Sequence, residues 1–394
     1  MNNQTNSWTW DLLHPNDEQA RDVPCPRATF GGMLDYKGCI YLFGGIKVMY
    51  GQPEGPGDLS VQGSMNDLWR YDPDLSHWTM LEETDGRMGF ATSDIRPCTR
   101  KLAAWLPIQD SFYLFGGTSV QPPGFPGQPP QLTLGVRGSR LNDLWSYDPN
   151  AQTWDLIESD DGRASILSAD GDRPAGSSGM GTAVLGDHMY IMGGLGATTH
   201  AQLWTYGTTA REWTYLGSSE DGQKNWPSKR YCPVMAGWNG KLYLWGGRDP
   251  EDQAPEFYND LWEYDPEKGA WACIEENRTD DSSRPSPRYG LAHTVIGHHM
   301  YMFGGFAGGN GEWHPQLNDL WRYDLQASRW DCLYTHNGAK NYSHKADRPG
   351  VKRIPVMASS NGCAYLFGGL DLATGPTGKG PLAAYNDFWR GTPH

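Results

Sequence analysis

Long apolar runs are missing from this chain, and none of its 394 residues belongs to a stretch approaching the length of a membrane helix. Helix signals are also nearly absent, while 50 glycines and 28 prolines suit an all-β chain rich in turns. Cysteine is scarce: the seven are scattered, odd in number and contain no Cys-x-x-Cys pair. That argues against a disulfide framework or a structural zinc site and points to a reducing cytoplasm. The opening Met1-Asn2-Asn3-Gln4 has no basic start and no apolar core after it, which predicts no secretory leader. No His-Glu-x-x-His spacing marks a metal enzyme. Positive charge is outweighed, 32 Lys and Arg against 46 Asp and Glu, for a net charge of −14. A nucleic acid or an anionic membrane is therefore an unsuitable main partner, and solubility is the ordinary reason for such a charge.

One stretch is present six times. Tyr41-Leu42-Phe43-Gly44-Gly45 returns as Tyr113 to Gly117, Tyr190 to Gly194, Tyr243 to Gly247, Tyr301 to Gly305 and Tyr365 to Gly369. An apolar run of this kind reads as a buried strand, ended by a glycine pair where another backbone passes closely or φ turns positive. A second motif trails each copy: Asn66-Asp67-Leu68-Trp69, Asn142 to Trp145, Asn259 to Trp262, Asn318 to Trp321, Asn386 to Trp389, and a degenerate Ala201-Gln202-Leu203-Trp204. A further tryptophan follows nine positions later at Trp78, Trp154, Trp213, Trp271 and Trp330. Trp389 has no such partner, but Trp10-Asp11-Leu12-Leu13 matches Trp154-Asp155-Leu156-Ile157. The first strand thus completes the sixth unit and closes a ring.

An arginine opening each inner strand, a strand ending in Gly-Gly, and spaced Tyr and Trp resemble kelch repeats, and six of them resemble a six-bladed β-propeller. The resemblance implies an all-β fold with four antiparallel strands per blade. It places one domain over residues 8–394 after a tail of 1–7, with the closing strand at about 8–13. The blades fall at about 27–81, 100–157, 177–216, 230–274, 288–333 and 353–390. A ring escapes the usual size limit of one core because each blade is expected to carry its own. Kelch domains mostly bind proteins beside a second recruiting domain. The copper and iron enzymes of related propellers need ligand sets that do not align here.

Turns between the first two strands are short, as in Trp238-Asn239-Gly240-Lys241, so all long connections share the other face. Elongated loops on a rigid frame are where binding is usually placed. Gly51 to Gly63 and Gln121 to Gly138 are Gly/Pro-rich and suggest lids, whereas the Leu195 to His200 loop is the shortest. That leaves the rim low at blade three and predicts a side entrance.

Arg27, Arg100, Arg230, Arg288 and Arg353 lie 15 to 17 positions before their glycine pairs, with Ser177 in blade three. Converging guanidiniums would bind carboxylate, phosphate or sulfate bidentately. Alternatively, each would cap carbonyls or pair with loop acids such as Asp85 or Asp161. Tyr231 and Tyr289 follow two of these arginines and are candidate catalytic acids or bases, with pKa values expected to be lowered by the neighbouring charge. Cys232 reads better as filler than as a nucleophile. His14, His200, His314, His336 and His344 belong to the loop-rich face, His293 to an inner strand, and His298-His299 to a plain-face turn. The repeated acidic turns at Asp85, Asp161 and Asp221 read as Asp-Gly turns rather than calcium loops.

These features predict a monomer with an arginine-lined funnel for an anionic small molecule and cofactor-free isomerase, lyase or cyclase chemistry. The rival is an interaction module gripping an acidic peptide. No cofactor is required by either, and a divalent metal serving an oxidase or lyase is a third reading.

Overall fold

The computed structural model describes residues 8–29, 32–48, 61–85, 95–119, 139–162, 172–251, 257–307, 316–337, 347–372 and 382–394. Six four-stranded antiparallel sheets stand around an axis as the blades of a propeller. In blade four the strands run outward as Val234–Trp238, Lys241–Arg248, Phe257–Asp265 and Ala270–Glu275. In blade six they are Val356–Ser360, Cys363–Phe367, Phe388–Pro393 and, last, Trp8–His14.

The ring closes as the repeats require. Trp8 pairs with Pro393, Trp10 with Gly391 and Leu12 with Trp389. The two indoles then cross to blade five, with Trp8 4.7 Å from the Tyr301 ring and Trp10 5.7 Å from Phe303. Gly391 has no room for a Cβ because the Trp8 indole covers it.

The repeated apolar strand is continuous rather than alternating because both of its faces are covered. Leu42 packs into the core shared with blade six, while Tyr41 and Phe43 pack into the core shared with blade two. Leu244 faces blade three and Trp245 faces blade five in the same way. The hydrophobic cores therefore sit between blades, not within each blade as expected. Neighbouring blades are thereby tied to one another through shared apolar cores.

The glycine pair is a bulge as well as a close approach. Both glycines have positive φ, 59° and 109° at Gly44 and Gly45, and the register shifts between Phe43 and Gly45. A Cβ on Gly44 would lie 2.8 Å from the Met65 carbonyl and 2.9 Å from that of Arg100. Strand pairing resumes beyond it, so that Cys39–Val48 runs through the glycines and pairs with Arg27–Ala28.

Where the inner strands begin, the chain forms a belt around the axis. Leu102 donates its N–H to Thr29 O, Gly179 to Leu102 O, Cys232 to Gly179 O and Ile354 to Gly290 O, at 2.7 to 3.3 Å. Leu102, Gly179, Cys232, Gly290 and Ile354 all have φ between 50° and 65°. For leucine and β-branched isoleucine this conformation costs about 1–2 kcal/mol each. Below the belt the axis opens into cavities of about 110 Å³ and, toward the plain face, about 370 Å³.

Candidate functional site

Four of the five arginines expected to floor a funnel are consumed inside their blades. Arg27, Arg100, Arg230 and Arg288 are at most 3 % exposed. Each guanidinium meets the aspartate of its own Asn-Asp-Leu-Trp motif: Asp67, Asp143, Asp260 and Asp319, at 2.7 to 2.9 Å. Nη1 also donates to the first glycine carbonyl, at 3.0 to 3.1 Å in Gly44, Gly116, Gly246 and Gly304. The opposite carboxylate oxygen accepts the indole N–H of Trp69, Trp145, Trp262 or Trp321, at 2.7 to 2.8 Å. Arginine, aspartate, glycine and tryptophan of the repeat thus form one buried latch, which corrects the expectation of a funnel built from these residues. The loop acids have other partners: Asp85 pairs with Arg96 at 3.1 Å and Asp161 with Arg173 at 2.9 Å, and both also accept from the motif asparagines.

The fifth assignment is off by one residue. In blade six the latch cation is Lys352, whose Nζ is 2.6 Å from Asp387. Its carbonyl accepts the Gly305 N–H at 2.9 Å, as Arg100 O accepts that of Gly45. A signal for this was in the sequence. Pro24, Pro97, Pro174, Pro227, Pro285 and Pro349 each stand three positions before the latch residue, and Pro349 leads to Lys352 rather than Arg353. In blade three Ser177 occupies the position; its Oγ lies 3.0 Å from His200 Nε2, and Trp204 donates to Gln202 at 3.1 Å. A cavity of about 10 Å³ lined by these side chains fills the space of the missing guanidinium.

Displaced by one residue, Arg353 enters the mouth on the loop-rich side of the belt. Its Nη2 donates to Tyr289 Oη at 2.6 Å, and Arg248 Nη1 donates to the same oxygen at 3.3 Å. Both guanidiniums also lie over aromatic faces, Arg248 on Tyr289 at 5.0 Å and Arg353 on Phe306 at 5.0 Å. Lys101 joins them from blade two. Burial, then the charges of Arg353 and Arg140, push its pKa down to about 8. Arg140 is likewise lowered by burial. Among the described residues no carboxylate forms an ion pair within 4.0 Å with Lys101, Arg140 or Arg353; the Glu251 carboxylate favours charged Arg140 from farther away, and the Nε atoms of Arg140 and Arg353 are buried without a hydrogen-bond partner. Blades two, four and six therefore bring cations together around an aromatic floor of Tyr289, Phe257 and Phe306. Sequence reasoning missed Lys101, Arg140 and Arg248, because their convergence depends on which side of the glycine bulge each falls.

Both tyrosines belong to that floor. Tyr231 has its phenol pushed well above the usual value by burial, which outweighs the charge of Arg353 and reverses the expected lowering. Tyr289 is 1 % exposed and holds the two arginines. Burial raises the Cys232 thiol to about 12, in keeping with filler. His336 Nδ1 lies 3.0 Å from Asn318 Oδ1, and His293 Nε2 3.0 Å from the Met235 carbonyl in the cavity wall. His293 is, among the described residues, the only titratable side chain lining the 110 Å³ axial cavity, whose other walls include Met33, Trp105, Leu291 and Met357. Among the described residues, His14 and His200 make no common centre with these histidines. His314 and His344, the proposed lid from Gln121 to Gly138 and residues 51–60 of the proposed lid from Gly51 to Gly63, and with them the tall side of the rim, lie outside the described residues, while Val61 to Gly63 open the strand Val61–Asp72.

The family model for the KLHDC2/KLHL20/DRC7 Kelch-repeats domain matches residues 3–225, 156–347 and 218–390. Kelch domain-containing protein 10 of Homo sapiens is 25% identical over 334 residues, 84% of this chain and 63% of that protein. Kelch-like protein 25 of Xenopus tropicalis is 26% identical over 268 residues, covering 68% and 36%. Host cell factor 2 of Homo sapiens is 27% identical over 296 residues, covering 67% and 32%. The chain thus spans less than two thirds of these relatives' own lengths.

Proposed function

Because the chain belongs to the kelch-repeat family of propellers, we propose that it is a protein-interaction module whose loop-rich mouth grips an acidic segment of a partner. One observation carries this reading: Lys101, Arg140 and Arg353 converge, partly buried, with no carboxylate paired to them among the described residues. Burying like charges together is unfavourable unless an anion joins them. Their placement stands out further on a chain of net charge −14. A carboxylate entering the mouth would meet charge-assisted donors already held by Tyr289, so little side-chain entropy remains to be lost. The aromatic floor adds a desolvated anchor of the kind that concentrates binding energy at interfaces.

The chemistry of an isomerase, lyase or cyclase is less well served. Tyr231 is held protonated, Cys232 is not activated, and the axial cavity is mostly apolar. Among the described residues, the His/carboxylate cluster that could hold a metal lies at His298, His299 and Asp324, on the face opposite the mouth.

The test is fluorescence anisotropy with labelled Asp/Glu-rich and Lys/Arg-rich peptide panels at low and high salt. The acidic panel should bind, and should weaken as salt rises because the contacts are ionic. Equal binding of both panels, or none by either, would refute the proposal.

A further inference from the structure

At the end of blade five remote from the mouth, a tight turn carries two adjacent histidines, Gly297-His298-His299, with φ 63° at the glycine. We propose that His298, His299 and Asp324 form a binding site for a divalent transition-metal ion of the zinc class. The ligand atoms available from the three side chains all lie within 4.8 Å of one another. Asp324 Oδ2 is 3.7 Å from His299 Nε2 and 4.0 Å from His298 Nε2. The two rings lie side by side with centroids 4.0 Å apart. Zinc bonds to nitrogen and oxygen of about 2.0–2.2 Å place tetrahedral ligands about 3.3 Å apart, so small side-chain rotations suffice to close the site.

The backbone already holds the three together. His299 is the register partner of Asp324, and Leu325 donates its N–H to the His298 carbonyl at 2.9 Å. The carboxylate divides its two oxygens between separate tasks. Oδ1 accepts the N–H groups of Gln326 at 2.9 Å and Ala327 at 2.8 Å, which leaves Oδ2 facing the imidazoles. The other blades act as internal controls. Asp72, Asp148 and Asp265 cap the same turn through one oxygen, but the residues opening the facing strands are Cys39, Ser111 and Lys241. In blade four the second oxygen of Asp265 is taken by Lys268 at 2.9 Å. Among the described residues, blade five alone sets two imidazoles against the capping carboxylate.

Neighbouring charge does not block the site. Arg322 is drawn to Asp331 at 2.7 Å, and Arg329 lies 3.4 Å from the same carboxylate. Two imidazoles and one carboxylate suit a borderline-soft ion such as zinc better than calcium or magnesium, which prefer oxygen. A fourth position is left for water or for a side chain of another molecule.

Calorimetric titration of the full chain with zinc chloride tests the proposal, comparing the wild type with His298→Ala, His299→Ala and Asp324→Asn. Asparagine retains the oxygen that caps the turn but loses the anionic ligand. His188→Ala serves as a control for adventitious binding, and far-UV circular dichroism confirms the fold of each variant. One equivalent should bind the wild type and the His188 variant alike and weaken more than about tenfold in the other three. No zinc binding by the wild type, or binding to the site variants at wild-type strength, would overturn the proposal.

Discussion

Blades one, two, four and five each bury an arginine against an aspartate and a tryptophan, blade six does the same with lysine, and blade three does without. Blade three nevertheless keeps the backbone half of the device. Ser177 O accepts the Gly117 N–H at 2.8 Å, and Ser177 N–H reaches Leu141 O at 3.2 Å. Its Ser177, His200 and Gln202 are a small, neutral set occupying the same place. The latch charge is therefore dispensable to the fold when both of its partners are replaced together, as expected if a buried ion pair is costly mainly when one half is removed.

That comparison can be broken most sharply at Arg100. Arg100→Ala leaves Asp143 buried without its cation and should cost about 3–5 kcal/mol of stability. Ser177→Ala at the matching position should cost less than about 1.5 kcal/mol. Urea midpoints of the two variants give the answer directly, and similar losses would show that blade three is no exception.

A smaller and pH-dependent effect should come from His200. Burial lowers its pKa to about 4, against 6.5 for an ordinary histidine. The unfolded chain therefore binds the proton more readily between those values. The stability contributed by neutral His200 is complete above about pH 6.5 and is lost as pH falls toward 4, by about 3 kcal/mol at the lower limit. The difference between wild type and His200→Gln should shrink across that window; a difference independent of pH would contradict the assignment.

The smallest effect is expected in blade six. Burial lowers the Lys352 pKa, a penalty that Asp387 only partly offsets, whereas guanidinium stays charged and binds carboxylate with a second donor. Lys352→Arg should raise stability by about 1 kcal/mol, read as a higher urea midpoint. A fall would mean that the lysine is fitted to its own pocket beside Tyr385, whose ring lies 4.4 Å from Nζ.

Much of the architecture was legible because it is written in repeated residues. The glycine pairs, the spaced tryptophans and the match of Trp10 to Trp154 led to the ring and to its closure at Trp8–His14. The latch was half legible. Arginine and aspartate both recur, but their sequence separation ranges from 30 residues in blade four to 43 in blade two, so pairing depends on the strand register. Lys352 and Arg353 are adjacent and both basic, yet the interval to the first glycine, 17 residues in blade one and 16 in the other blades, selects Lys352, as does the proline three residues earlier. The mouth was least legible. Lys101, Arg140 and Arg248 belong to no repeat, and only the glycine bulge and the left-handed belt decide that they turn toward one opening.

The most direct test sets a latch against the mouth. Arg353→Glu should abolish binding of an acidic peptide while leaving the urea midpoint near the wild-type value, since Arg353 holds no buried carboxylate among the described residues. If Arg353→Glu bound the peptide as tightly as the wild type, the mouth would not be the binding site.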